Sequence, residues 1–207
     1  EGTLLHETYE GAVRLQIRYA RRLGLPWGIS ESCYNQVDSH QVYQYRAFGV
    51  PALGMKRGLA DDLVIAPYAG AMALMVAPKA AARNLERLVA HGALGRFGLY
   101  EALDWTPSRL RTTSGEPFVL VRSWMTHHGG MTLLALDYAL NDKPMQRRFL
   151  ADPQLKSAQL LLQERIPLAR PRLRAAIASA EAAEIRKDEK REAAARTFET
   201  PDTPAPE

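Results

Sequence analysis

Pro26 to Gly58 reads PWGISESCYNQVDSHQVYQYRAFGVPALGMKRG, a stretch in which Trp27, Tyr34, Tyr43 and Tyr45 accompany the carboxylates Glu31 and Asp38 between glycine-punctuated ends. No amphipathic helix has this pattern. The expectation is an irregular segment that presents polar and aromatic side chains to a ligand. Burial among aromatics raises a carboxyl pKa towards neutrality, and aromatic faces suit sugar rings, so carbohydrate chemistry is the first functional expectation. The rival is a tyrosine-rich core loop with solvated charges.

On either side of this stretch the pattern turns helical. Thr3 to Leu23 spaces Leu4, Leu5, Ala12, Val13, Leu15, Ile17 and Ala20 among arginines, which suits an amphipathic helix ended by Gly24 and Pro26. Pro67 can start a helix that runs through Met75 before Pro78, and Lys79 to His91 repeats the pattern with Gly92 as its cap. Gly92 to Leu110 is again irregular and rich in glycine and aromatics. Phe118 to Val121 is the one convincing strand-like run. Trp124 to Leu140 reads as an apolar helix broken near its start by Gly129 and Gly130, and Pro153 to Arg165 as another. From Pro171 the chain turns to alanine and mixed charge, a solvated helix over Arg172 to Arg196, and TPDTPAPE closes it as an extended proline linker. The fold class expected is therefore all-α, with no internal repeat.

The chain has 207 residues and is 46% hydrophobic, enough for one sizeable core plus a tail. A net charge of +4 is mild, and acidic residues are interspersed through most of the chain, so no basic stripe marks a nucleic-acid partner before the tail. No stretch approaches the ~20 apolar residues that span a bilayer. The single cysteine, Cys33, excludes an internal disulfide, which fits a reducing compartment. A buried thiol is the expectation for it in preference to a nucleophile, since no histidine or asparagine stands in a family-specific arrangement with it.

Several long motifs, in order, carry a resemblance: PWGISES, YQYRAFGVP, GMKRGLADDLVIAPYAGA, LYEALDWTPSRL, VRSWMTHHGGM and LLLQERIP. Together they closely resemble the glycoamylase-like domain of bacterial cyclic β-1,2-glucan synthases, over about Glu1 to Pro167. The resemblance implies an (α/α)6 toroid, of which residues 1–167 supply the C-terminal part and about half lies upstream of Glu1. Residues 168–207 then form a charged helical tail and the linker to a phosphorylase-like domain. It implies β-1,2-glucan as substrate and cyclising transglycosylation as the activity, with this piece inactive alone. The partners implied are the glycosyltransferase and phosphorylase-like domains of the parent synthase. The location implied is a soluble domain on the cytoplasmic side of a bacterial inner-membrane protein. Two rivals stay open: an endo-β-1,2-glucanase, and a catalytically silent glucan-binding module. No cofactor and no metal is implied.

Glycoside cleavage needs one carboxylic acid to protonate the leaving oxygen and a second carboxylate to attack the anomeric carbon or activate water. Glu31 and Glu101 are the expected catalytic pair, each in an irregular motif beside aromatics, against the alternative of surface or loop-capping glutamates. Asp38 and Asp104 are reserve carboxylates; Asp104 shares a face with Glu101 if YEALD is helical. Asp61 and Asp62 read as a helix N-terminal pair. Lys56 and Arg57 can donate to sugar hydroxyls, against the alternative of a solvated turn. Trp27, Tyr34, Tyr43, Tyr45, Tyr68 and Tyr100 are candidate stacking platforms, some of them expected in the core, and Asn35 is a further substrate-binding candidate. His127 and His128 lack metal-ligand spacing and are expected to bind sugar or orient a loop. In the family this motif usually reads HHQGM. Gly129 here removes an amide, which bears on subsite affinity more than on chemistry.

Overall fold

The computed structural model describes residues 3–54, 58–110, 115, 117–158 and 161. Contacts divide the chain into one unit over Glu1–Ile166 and another over Pro167–Glu207, and all residues described here belong to the first. The charged helix and proline linker expected from the tail lie outside the described residues, as do Lys56 and Arg57.

Helix α1 spans Leu4–Arg22, and the Thr3 hydroxyl caps it by accepting the His6 N–H at 3.1 Å. The next segment does not stay irregular. Ser32–Val37 (β1) and Tyr43–Arg46 (β2) pair antiparallel, with a register shift between Cys33 and Val37. Asp38 makes the connecting turn by accepting the N–H groups of His40 and Val42 at 2.9 and 3.0 Å on one oxygen. Period-2 alternation is hidden here because the shift and the half-exposed aromatics disrupt it.

Val64–Ile65 (β3) precedes helix α2, Pro67–Met72, which tightens into a 3-10 turn over Ala73–Met75. No helix begins at Asp61 or Asp62; Asp61 ends a 3-10 turn over Leu59–Asp61. Helix α3, Pro78–Ala90, is closed by Gly92 in the left-handed region at φ +79°. Leu94–Gly95 (β4) and Gly98–Leu99 (β5) form a tight hairpin. Ala102–Asp104 (β6) is a strand, so the helical reading of YEALD is overturned: β6 sits between β3 and Val119–Val121 (β7) in one antiparallel sheet. Its three residues are fully buried, and the ladder satisfies backbone groups that water cannot reach.

Helix α4, Thr126–Leu140, runs unbroken through Gly129 and Gly130 and packs on α2. Pro144–Leu150 (α5) and Pro153–Ala158 (α6) follow. The described residues are therefore mainly helical but carry seven short strands, where periodicity shows helices and one strand alone. Strands of two to six residues are too short to reveal their period. Among the described residues no helix is long and apolar enough to cross a membrane.

One core cluster joins the sheet residues Val64, Ile65, Leu103 and Val121 to Tyr19 of α1, Leu88 of α3 and Trp105. A second gathers Ala20, Trp27, Leu74 and Ala81. Between them runs the extended segment that leads to Glu31, held by two side-chain amides in place of a neighbouring strand. Asn84 accepts the Trp27 N–H at 3.0 Å and donates to its carbonyl at 2.8 Å. Gln16 does the same for Ile29, at 3.0 and 2.7 Å.

Gly28, between them, stands at φ +130°. A Cβ there would fall 3.0 Å from the Ala66 carbonyl oxygen and 3.1 Å from the Gly70 nitrogen, both of them backbone. Gly28→Ala is therefore expected to cost about 1–3 kcal/mol, read as a lowered urea midpoint. An unchanged midpoint would mean that the clamp on this segment is loose.

Candidate active site

Glu101 lies just ahead of β6 and is 3% exposed. A buried carboxylate needs donors, and two elements supply them. The β1 residue Cys33 donates its N–H at 3.2 Å, and Nδ1 of His128, in the first turns of α4, lies 3.0 Å from both carboxylate oxygens. His128 is itself buried and stacks on Tyr68 of α2, centroids 3.7 Å apart and planes 10° from parallel. The Tyr68 hydroxyl lies 2.9 Å from the Ser30 hydroxyl and 3.0 Å from the Glu31 carbonyl oxygen, to which it donates. Tyr68 thus braces the Glu101–His128 pair against the segment that bears Glu31.

Glu31 itself is exposed. The Tyr45 hydroxyl of β2 connects it to the buried pair, standing 3.5 Å from His128 Nε2 and within the field of the Glu31 charge. Desolvation, then the charge of Glu31, the Tyr68 hydroxyl and the charge of Glu101, push the Tyr45 phenol up to about 12, so it keeps its proton. Burial also raises Tyr68, opposed by its bond to Ser30 and reinforced by Glu31 and Glu101. Two carboxylates 70 positions apart in sequence therefore act on the same two phenols. One is exposed and one is buried, a difference that nothing in the local sequence announces.

A cavity of about 460 Å³ opens beside Glu101 and His128, and Tyr68, Tyr100, Phe97 and Trp124 also line it. Phe97 and Trp124 escape the sequence reading as site residues. The signal available for Phe97 was an aromatic at the tip of a two-residue turn between Gly95 and Gly98. For Trp124 it was its place just ahead of α4, where it reads as a core residue. Gly129 lines the cavity as well, and a Cβ there would meet nothing within 4 Å, so the site has room at this position.

Other expected site residues fall elsewhere. Trp27 is packed in the second core cluster. Asp38 is occupied in the β1–β2 turn. His127 is exposed, its ring 4.0 Å from that of His128. Tyr43 packs against the first core cluster. Asp104 is fully buried, and its carboxylate accepts from the N–H groups of Asn35 and Thr106, both at 3.0 Å, and from Arg109 Nε at 2.7 Å.

Arg109 also bridges to Asp62, which a second ion pair joins to Arg46. The Tyr34 ring meets both guanidiniums, 5.0 Å from that of Arg46 and 4.9 Å from that of Arg109. Burial works against the Arg109 charge, but hydrogen bonds and charges from Asp104 and Asp62 outweigh it and raise its pKa. Asn35 fastens this network to β1 by a further bond from its side-chain amide to the Arg109 carbonyl at 2.8 Å. Tyr34, Asn35, Asp62 and Asp104 thus form a structural lock between β1, β6 and the turn after β6. Asp62 closes an ion-pair network here and caps no helix.

Cys33 is buried with its sulfur 3.9 Å from that of Met125, and burial followed by the Glu101 charge pushes the thiol up. A thiol so placed is held in its neutral form. Among the described residues no group of three or more His, Cys, Asp or Glu side chains converges as a metal site.

The chain belongs to the glycoamylase family, whose model, described as "Putative glucoamylase", matches residues 2–153. Among curated proteins it is similar to the cyclic beta-(1,2)-glucan synthase NdvB of Rhizobium meliloti (strain 1021), with 45% identity over 167 residues. That match covers 81% of this chain and 6% of the relative, so the chain spans a small part of the relative's length. Two solved structures, each of a "putative glucoamylase", from Bacteroides caccae ATCC 43185 and Bacteroides fragilis NCTC 9343, are similar at a TM-score of 0.49 and 16% identity. They cover 75% and 70% of this chain, which in turn covers 33% and 31% of theirs.

Proposed function

We propose that this chain is part of a glycoamylase-like domain that acts on β-1,2-glucan within a cyclic β-1,2-glucan synthase, where it cleaves a glucosidic bond and transfers the glycosyl group to a sugar hydroxyl. The observation that carries the reading is the buried Glu101–His128 pair joined through Tyr45 and Tyr68 to the exposed Glu31. Likeness to the Rhizobium meliloti synthase supports the choice of substrate. The same reading takes residues 1–167 as the C-terminal part of an (α/α)6 toroid and residues 168–207 as tail and linker. It puts the domain on the cytoplasmic side of an inner-membrane protein, beside glycosyltransferase and phosphorylase-like domains.

In this mechanism Glu101 is the nucleophile, its oxygens held in place by the Cys33 N–H and His128 Nδ1. Glu31, open to solvent, gives its proton to the glycosidic oxygen as the bond from that oxygen to the anomeric carbon breaks. A Glu101 oxygen attacks the same carbon and forms a glycosyl ester. The incoming sugar hydroxyl then attacks that carbon, its proton returns to Glu31, and Glu101 leaves as carboxylate. Such a double displacement needs carboxyl groups about 5–5.5 Å apart.

Incubation of the full-length protein with linear β-1,2-glucan, followed by mass spectrometry, tests the proposal. Rings or lengthened transfer products are expected. Shorter linear chains alone would make the domain an endo-β-1,2-glucanase, and unchanged polymer that still binds would make it a silent glucan-binding module.

A further inference from the structure

The cavity beside Glu101 has an aromatic wall that the chemistry described above does not use. Three tryptophans occur in the chain, and two are sunk in the core, Trp27 at 8% and Trp105 at 7% exposure. Trp124 is left 40% exposed and Phe97 69% exposed, both lining this cavity. Their arrangement is fixed by the backbone. The Trp124 indole N–H donates to the Gly98 carbonyl at 3.4 Å, Phe97 meets the indole edge-on with centroids 5.2 Å apart, and Tyr100 lies at 4.9 Å with a tilt of 37°. Gly95 makes room for this: a Cβ there would fall 2.5 Å from the Tyr100 ring. Exposed aromatics form the mouth, and the buried Glu101–His128 pair forms the floor.

We propose that Phe97, Tyr100 and Trp124 form a sugar subsite that stacks a glucose ring of the glucan next to Glu101, so that the adjoining glycosidic bond is presented to the carboxylates. A glucose ring has apolar C–H faces and a polar hydroxyl rim. It matches a cavity with aromatic sides and a hydrogen-bonding floor, whereas an apolar protein segment in the same place would set its side chains against a buried carboxylate and imidazole. This assignment rests on the glucan reading of the site and adds the residues that hold the substrate to those that transform it. Phe97 sits at the tip of the β4–β5 hairpin and Trp124 precedes α4, so two separate elements close on one ring.

Binding of β-1,2-linked gluco-oligosaccharides to the full-length protein, measured by calorimetry with malto-oligosaccharides in parallel, tests the subsite. Trp124→Ala and Phe97→Ala are each expected to weaken binding of the β-1,2-linked sugars roughly tenfold and to raise KM with little change in kcat. Trp124→Phe, which keeps a ring, should recover most of the affinity, and the thermal midpoint of Phe97→Ala should match the wild type. Equal affinity in wild type and both alanine variants would overturn the subsite and leave the glucan reading standing. If the wild type binds the malto-oligosaccharide instead, and the alanine variants lose it, the subsite stands and the β-1,2 reading falls. A change in self-association or thermal midpoint without a change in sugar affinity would show that the wall packs against protein, and would overturn the subsite.

Discussion

Glu101→Gln is expected to lower turnover on β-1,2-glucan by roughly 10²–10⁴-fold or more while glucan binding persists. The substitution keeps the shape of the side chain and removes its charge. His128 Nδ1 and the Cys33 N–H, which both point at a carboxylate, would then face a neutral amide. Glu31→Gln should cause a loss of similar size, but the two variants should part company in rescue experiments. An activated aryl glucoside needs no proton on its leaving oxygen, so it should restore the first step to the Glu31 variant and not to the Glu101 variant. A small anion such as azide, replacing the lost nucleophile, should restore turnover to the Glu101 variant with an inverted glycosyl azide as product, whereas in the Glu31 variant it can only attack the glycosyl ester and gives the retained azide. Near-wild-type kcat in either variant removes that residue from the pair, and the reverse rescue pattern exchanges their roles.

The second large effect concerns stability. Arg109→Met should destabilise the fold by about 3–5 kcal/mol, because Asp104 is fully buried and would lose the cation it is paired with. The two N–H groups that Asp104 accepts, from Asn35 and Thr106, are dipoles and cannot replace a guanidinium. Asp62 is less affected, since Arg46 still faces it. Combining Arg109→Met with Asp104→Asn removes the stranded carboxylate, so the double variant should be more stable than the single one. Urea unfolding of the three proteins measures this. A single variant within about 1 kcal/mol of wild type would mean that water reaches Asp104 and that the lock around Tyr34 is solvated.

The sequence shows one carboxylate to each of two irregular, aromatic-rich motifs and so leads to Glu31 and Glu101, but it gives them equal standing. The structure separates them through what surrounds each. Glu101 is buried because β6 runs through the centre of a sheet and α4 brings His128 over it, whereas Glu31 follows an extended segment held from outside by Gln16 and Asn84. No local pattern carries that distinction, since each donor comes from a distant part of the chain. The tryptophans follow the same logic. Among the three only Trp124 remains open, because it lies ahead of α4 at the mouth of the cavity and not within a packed layer.

By itself the sequence determined where α1, α2 and α3 lie to within a few residues, since apolar spacing at 3.6 residues, Pro67 at a first turn and Gly92 beyond α3 act within a few residues of chain. The family motifs were legible too, and so was the presence of two glutamates suited to glycoside chemistry. Tertiary structure alone decided that YEALD is a strand, that the Tyr-rich segment is a hairpin, that Asp62 and Asp104 neutralise Arg109, and that His128 serves Glu101. The physical reason is the same in each case. A short strand exists only where a neighbour supplies its hydrogen bonds, and a buried charge persists only where a distant side chain supplies its counter-charge.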